Sequence, residues 1–158
     1  MTNPHDSPLV GLVIGSRSDE AIIQQTESVL NDFNIPYELS VLSAHRTPKK
    51  LADYASSAKN RGLRLIVAAA GGSAALPGAI AAWTTLPVIG IPVPSSDLKG
   101  IDALLTIAQM PPGVPVACMA VGIWGARNAG YFAVSIIASN DPLVEKAYDE
   151  YKADLANR

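Results

Sequence analysis

The sequence predicts a single α/β domain in three layers, with a parallel sheet between two layers of helices. Short apolar runs alternate along the chain with longer helical stretches, and turn-forming residues separate them. The first run, residues 9–14, has no polar face, as expected for a strand buried on both sides. Strands that alternate with helices are typical of parallel sheets. The 158 residues suit one domain with a sizeable core.

Five strands and six helices are predicted in order along the chain. The strands are residues 9–14, 37–42, 64–70, 87–91 and 114–120. The helices are residues 18–33, 48–61, a small-residue helix ending near 84, 100–109, 126–139 and 142–156. We expect the flavodoxin-like strand order 2-1-3-4-5.

This strand order predicts where a ligand binds. In open parallel sheets, ligands bind beyond the carboxyl ends of the strands, at the point where the strand order reverses. The segments that follow the first three strands are residues 15–19, 43–48 and 70–78. With the order 2-1-3 these segments are neighbours, so we expect them to surround one crevice.

The polar start of the chain predicts a flexible tail over residues 1–8, followed by one domain over residues 9–158 that ends in interface helices. Residues 1–8 contain no basic segment followed by an apolar stretch, as a targeting signal would. His5 lies in this tail and is a poor candidate for catalysis.

Composition and charge exclude several classes of function. The formal net charge is −2, and the twelve Lys and Arg residues form no dense run, which disfavours nucleic acid as a partner. Cys118 is the single cysteine, and no Cys or His spacing is typical of a metal site. We therefore expect a cytoplasmic protein without metal or disulfide.

Two long uncharged stretches predict self-association. Residues 65–96 and 128–140 contain no charged side chain. Glycine and proline divide the first stretch into pieces too short to span a membrane. A helix that is apolar on all sides is normally buried on all sides, which a monomer of this size rarely achieves. We expect these surfaces to pack against other copies of the chain.

The segment after the second strand, Ser43-Ala44-His45-Arg46-Thr47-Pro48, predicts acid–base chemistry beside an anion. Histidine both gives and takes a proton near neutral pH. The Arg46 guanidinium is a fork of donors suited to phosphate. Alternatively, Thr47 and Pro48 only begin a helix, as a capping hydroxyl and a first-turn proline, and His45 and Arg46 are solvated loop residues.

The segments after the first and third strands add binding groups. Gly15 permits a tight turn, and the hydroxyls of Ser16 and Ser18 offer donors to an anion. Asp19 either accepts hydrogen bonds from sugar hydroxyls or caps the following helix. The paired glycines of residues 71–72 either let backbone amides approach a ring or carboxylate, or allow a helix to pack closely on the sheet.

These motifs together resemble the class I PurE family, the N5-carboxyaminoimidazole ribonucleotide mutases of purine biosynthesis. The resemblance runs from about Val10 to the final helix. It rests on the motifs Gly15-Ser16-Arg17-Ser18-Asp19, Ser43 to Pro48, Ala70-Gly71-Gly72, Leu76-Pro77-Gly78, Gln109-Met110-Pro111, Gly113-Val114-Pro115-Val116 and Asn128-Ala129. It implies a homo-octameric isomerase that moves a carboxylate from an exocyclic nitrogen to ring carbon 4, with no metal or organic cofactor.

The resemblance also implies roles for individual residues. His45 becomes the general acid and base, and Ser16, Asp19 and Arg46 bind the ribonucleotide. Ser18 and Ser43 lie beside its phosphate. The other residues implied to bind substrate, with the migrating carboxylate held by the backbone of residues 71–74, are Gly71, Gly72, Ser73, Ala74 and Leu76.

The chain departs from the class I pattern at four positions. Ala75 stands where these proteins carry a second active-site histidine, Pro94 where a glutamine is common, and Ile123 and Trp124 where a lysine and a small residue are usual. Two alternatives therefore stay open. One is an aminoimidazole ribonucleotide carboxylase that uses free carbon dioxide, and the other is a non-catalytic nucleotide-binding protein.

Overall fold

The computed structural model describes residues 7–157, in which five parallel strands form one sheet. The strands are β1 (Val10–Ile14), β2 (Tyr37–Val41), β3 (Leu65–Gly71), β4 (Val88–Val93) and β5 (Ala117–Cys118). Their order is β2-β1-β3-β4-β5, so the predicted order 2-1-3-4-5 is confirmed. Most of the predicted tail, including His5, lies outside the described residues.

Helices cover both faces of the sheet, which confirms the three-layer fold. The helices are α1 (Glu20–Asp32), α2 (Pro48–Ser57), α3 (Leu76–Ala81), α4 (Ile101–Ala108), α5 (Gly122–Ala138) and α6 (Pro142–Ala156). One core joins the sheet to α1, α5 and α6, and the second joins it to α2, α3 and α4. Single-turn 3-10 helices lie at Arg17–Asp19 and Lys59–Arg61.

Three elements are clearly shorter than the sequence predicts, and one begins earlier. Helix α2, predicted over residues 48–61, ends at Ser57, and α5, predicted over residues 126–139, begins at Gly122. The last strand is predicted over residues 114–120, but β5 has two residues, which pair with Ile89 and Gly90 of β4. Pro115 has no N–H for a strand ladder, and β5 is an edge strand with no neighbour beyond it. The helix predicted to end near residue 84 ends at Ala81, because the chain turns there toward β4.

Helix α5 lies close to its neighbours through small residues. A Cβ added to Gly130 would lie 2.7 Å from Cβ of Val29 on α1, and one added to Gly125 would collide with the backbone of Ala120. Small side chains therefore set the spacing between α5 and the rest of the first core. Helix α5 also exposes Ile123, Trp124 and Phe132, so the single chain buries only part of this apolar helix.

We expect Gly130→Ala to lower the free energy of unfolding by about 1–2 kcal/mol, since overpacking against Val29 outweighs the gain in helix propensity. Urea denaturation measures the change. Asn128→Ala is the matched control, because Asn128 is exposed on the same helix. An unchanged denaturation midpoint in Gly130→Ala would contradict close packing of α5 on α1.

Between residues 7 and 157, none of the helices combines the length and the apolar character needed to cross a membrane.

Candidate active site

The segments after β1, β2 and β3 converge on one cavity of about 350 Å³ at the carboxyl ends of the strands. This volume is in the range of small-ligand sites. Ten of the eleven predicted site residues line it, namely Ser16, Ser18, Asp19, Ser43, His45, Arg46, Gly71, Ser73, Ala74 and Leu76. Five further residues complete the lining, namely Gly15, Ala44, Ala70, Ala75 and Ser95.

The turn that carries His45 is closed by its own side chains. The Thr47 hydroxyl donates to the Ser43 carbonyl oxygen at 3.1 Å and accepts from the Ser43 backbone N–H at 2.9 Å. Thr47 makes no side-chain hydrogen bond to helix α2, although Pro48 does occupy the first turn as predicted. Thr47 and Pro48 therefore begin α2 as predicted, with Thr47 at the N-cap position, but the Thr47 hydroxyl shapes the turn and does not cap the helix.

Arg46 links this turn to the β1 loop. Its Nη2 donates to the carbonyl oxygen of Gly15 at 2.9 Å, and its Nε donates to Oγ of Ser43 at 3.3 Å. The backbone N–H of Arg46 also donates to Ser43 Oγ, at 3.2 Å. A guanidinium has five N–H donors, so these bonds orient the group and leave others for a ligand. The result is a fixed positive charge at one end of the cavity.

The two serines of the β1 loop are held by bonds within that loop. Ser16 Oγ accepts from the Ser18 backbone N–H at 3.4 Å, and the Ser18 hydroxyl donates to Oδ1 of Asp19 at 3.2 Å. Ser16 therefore keeps its hydroxyl hydrogen for an outside acceptor. Ser18 must release Asp19 before its hydroxyl can donate to an anion.

Asp19 is a buried carboxyl group in the cavity wall, with 6% of its surface exposed. Burial raises its pKa above the ordinary value of 3.8, while bonds from Ser18 and Ser16 and the positive charge of Arg46 act in the opposite direction. Asp19 lies at the N-cap position of helix α1 and in the first turn of the preceding 3-10 helix, but its side chain makes no capping hydrogen bond to α1. Asp19 is placed to accept hydrogen bonds from a ligand.

We expect Asp19→Asn to stabilise the ligand-free protein at pH 7. Because the folded-state pKa of Asp19 is raised, the stability of the wild type is greatest while this carboxyl is protonated and falls as the pH rises through the folded-state pKa. The asparagine side chain has no ionised form, so the difference between variant and wild type should shrink as the pH falls from 7 toward 4.

Urea denaturation at pH 7 and at lower pH measures this difference. Asp53→Asn is the matched control, because Asp53 is exposed on α2. If Asp19→Asn were less stable than the wild type at pH 7, burial of the ionised Asp19 carboxylate would not be destabilising, and the prediction would be wrong.

The β3 loop uses its two glycines differently from each other. A Cβ on Gly71 would collide with the side chain of Ser95, so glycine at this position leaves space for the loop that follows β4. Gly72 is not part of the cavity lining, and its φ of +61° identifies it as a turn residue. Ala74 is 3% exposed and also has a positive φ, +40°. Such a backbone is strained for a residue with a Cβ, and strain of this kind often occurs at functional sites.

His45 and Ala75 line the same cavity, but only His45 brings an imidazole. The His45 side chain is exposed, and Ala75 is half-buried at the start of α3. Within residues 7–157, no hydrogen bond ties the His45 ring to another residue. The ring is therefore available to a ligand.

Ser95 is the polar lining residue that the sequence did not single out. It follows β4, the fourth strand of the sheet, whereas the predicted crevice lies after the first three strands. Its signal in the sequence is the polar pair Ser95-Ser96, which follows an apolar strand after one proline, Pro94.

The remaining chemically active groups lie elsewhere. Cys118 is half-buried beside β4, burial raises the pKa of its thiol, and it does not line the cavity. Among residues 7–157, no cluster of three or more His, Cys, Asp or Glu side chains has the arrangement of a metal site.

Comparison with known proteins identifies the family. The sequence model of the family described as AIR carboxylase matches residues 9–158. The chain belongs to the AIR carboxylase family. The predicted membership of the PurE family is thereby confirmed, because the similar solved structures include proteins titled PurE.

Curated relatives of this family share about half of the residues. An N5-carboxyaminoimidazole ribonucleotide mutase from Synechocystis sp. is 48% identical over 155 residues, which are 98% of this chain and 86% of that protein. The protein of the same name from Bacillus subtilis is 50% identical over 143 residues, 90% of this chain and 88% of that protein. The crystal structure of Treponema denticola PurE superposes with a TM-score of 0.84 at 27% identity, covering 95% of this chain and 92% of that one.

Proposed function

We propose that this protein is an isomerase of purine biosynthesis that converts N5-carboxyaminoimidazole ribonucleotide to 4-carboxy-5-aminoimidazole ribonucleotide. The observation that carries the proposal is the cavity in which His45 lies beside the oriented Arg46 guanidinium. The mutase name of relatives at 48% and 50% identity supports the same reaction.

The β2 end of the cavity suits the phosphate of this substrate. Arg46 supplies a permanent positive charge there, and the hydroxyls of Ser43 and Ser16 can donate to phosphate oxygens. Ser18 lies next to these groups and becomes a donor once its bond to Asp19 opens. Asp19 then accepts hydrogen bonds from the ribose hydroxyls, which replace the hydrogen bond from Ser18.

With the phosphate held at this end, the imidazole ring extends toward the β3 loop. Ala70, Ala74 and Leu76 form an apolar wall there. Such a wall limits access of water, which is important because free carbon dioxide must be retained between the two halves of the reaction.

His45 moves one proton in each direction. As the bond between the exocyclic nitrogen and the carboxylate breaks, its electron pair stays on nitrogen, which takes a proton from the imidazolium of His45. Ring carbon 4 then attacks carbon dioxide, and the new carbon–carbon bond leaves a proton on that carbon. Neutral His45 removes this proton and returns to its initial state, as expected for a single general acid and base.

Ala75 concentrates proton transfer on His45. The methyl group of Ala75 is neither an acid nor a base. His45 is therefore the one imidazole among the residues that line the cavity. The mechanism above needs one such group. A non-catalytic protein that binds the ribonucleotide is the alternative that Ala75 favours.

We also propose that the protein acts in the cytoplasm as a homo-octamer. Apolar side chains exposed on α5 and on the edge strand β2 support self-association, namely Leu39, Val41, Ile123, Trp124 and Phe132. Light scattering should give a mass of about eight times the 16.5 kDa of one chain. A monomeric mass at working concentrations would contradict assembly through these surfaces.

The test of the reaction is to supply N5-carboxyaminoimidazole ribonucleotide without added bicarbonate and to follow formation of the 4-carboxy product against a protein-free control. The proposal expects conversion well above that control. Conversion only from aminoimidazole ribonucleotide with bicarbonate would identify a carboxylase. Binding without conversion would identify a nucleotide-binding protein.

A further inference from the structure

Ser95 forms a fourth side of the cavity to which neither the sequence motifs nor the proposed mechanism gives a role. The other polar lining residues follow β1, β2 or β3, whereas Ser95 is the one lining residue that follows β4. Three strand spacings separate β2 from β4 in the order β2-β1-β3-β4, a distance of about 14 Å. Ser95 therefore lies at the end of the cavity away from Arg46.

The side chain of Ser95 lies directly against the backbone of Gly71. A Cβ on Gly71 would collide with Ser95 Oγ and would lie 3.0 Å from Ser95 Cβ. The lack of a side chain at Gly71 thus leaves the space that the Ser95 hydroxyl occupies. This contact places the hydroxyl beside the β3 loop, where the reacting part of the substrate is expected.

Hydrogen bonds fix the loop that carries Ser95. The backbone N–H of Ser95 donates to the Val93 carbonyl oxygen at 2.9 Å. The hydroxyl of the next residue, Ser96, donates to Oδ2 of Asp102 at 2.6 Å and accepts from the Leu98 backbone N–H at 3.2 Å. The Ser95 hydroxyl is thus presented by a pre-organised turn, which lowers the entropic cost of using it in binding.

A carboxylate at this end of the cavity needs hydrogen-bond donors, and the side chains of Ala70, Ala74 and Leu76 offer none. Beside the backbone N–H groups and the Ser73 hydroxyl of the β3 loop, the Ser95 hydroxyl is the donor that the β4 side contributes. We propose that the Ser95 hydroxyl donates a hydrogen bond to the carboxylate on the imidazole ring and thereby favours carboxylated over uncarboxylated ribonucleotide. This inference rests on the proposed function and assigns it one specificity-determining residue.

The test compares Ser95→Ala with the wild type in calorimetric binding of two ligands, 4-carboxy-5-aminoimidazole ribonucleotide and 5-aminoimidazole ribonucleotide. We expect Ser95→Ala to lose about tenfold in affinity for the carboxylated ligand, as for a hydrogen bond to a charged group. Its affinity for the uncarboxylated ligand should change less than twofold. Ser56→Ala is the matched control, since that exposed hydroxyl lies on α2 and donates to the Ala52 carbonyl oxygen.

Equal losses for both ligands, or no loss for either, would overturn the role of Ser95. The wild type could bind both ligands yet convert neither N5-carboxyaminoimidazole ribonucleotide nor aminoimidazole ribonucleotide with bicarbonate. That result would refute the proposed reaction but would leave the Ser95 comparison valid. A wild type that binds neither ligand would refute both. Thermal denaturation checks that Ser95→Ala is folded, which we expect because the substitution removes one hydroxyl from an exposed residue.

Discussion

His45→Asn should lower turnover by about 10²–10⁴-fold, the usual contribution of a positioned general acid and base. Asparagine is close to histidine in size but cannot exchange a proton near neutral pH. Because the cavity lining has Ala75 and no second histidine, no other imidazole there can replace the lost one. Steady-state rates of product formation measure the effect.

Binding of the ribonucleotide to His45→Asn should stay within a few-fold of the wild type. The proposed phosphate contacts come from Arg46, Ser43 and Ser16, and no described residue forms a hydrogen bond with the His45 ring that the substitution would break. His5→Asn is the matched control, since His5 is the chain's other histidine. A variant with wild-type turnover, or one that loses binding and turnover together, would contradict the role of His45 in proton transfer.

Arg46→Ala should weaken binding of the phosphorylated ribonucleotide by about 10–100-fold, because charge-assisted hydrogen bonds to phosphate are the strongest polar contacts the cavity offers. The loss has a second source. Arg46 also donates to the Gly15 carbonyl oxygen, so its removal releases the β1 loop from the β2 turn.

Comparison with the dephosphorylated riboside separates these two sources. Loss of the phosphate contact affects only the phosphorylated ligand, whereas loosening of the loops affects both ligands. We expect most of the change to be confined to the phosphorylated ligand. Arg64→Ala is the matched control, because Arg64 is exposed next to the start of β3, at the opposite end of the sheet. Unchanged affinity in Arg46→Ala would refute its role as the phosphate anchor.

The sequence predicted the strand order and the position of the site for physical reasons. Buried strands in a parallel sheet need apolar side chains on both faces, and residues 9–14 carry that pattern directly. Polar residues at the carboxyl ends of the first three strands then had to meet at the switch point. Ten of the predicted residues line one cavity for this reason.

The details that the sequence could not predict are contacts between residues distant along the chain, or choices among equivalent hydrogen bonds. The side chain of Ser95 occupies the space next to Gly71 because β3 and β4 lie side by side in the sheet. No local sequence pattern encodes that pairing. The Thr47 hydroxyl has two available partners, the helix N–H groups and Ser43, and the turn geometry selects Ser43. Likewise Gly72 has the residue type of a binding glycine, and its positive φ of +61° is a separate reason for glycine that the sequence does not reveal.

The most direct test of the central claim, transfer of a carboxylate within one cavity, is isotopic. N5-carboxyaminoimidazole ribonucleotide labelled with ¹³C in its carboxylate is converted in the presence of unlabelled bicarbonate, and mass spectrometry measures the label in the product. The account predicts a product that retains the label, because the carbon dioxide formed beside His45 recombines before it escapes. A product that carries unlabelled carboxylate would contradict this account.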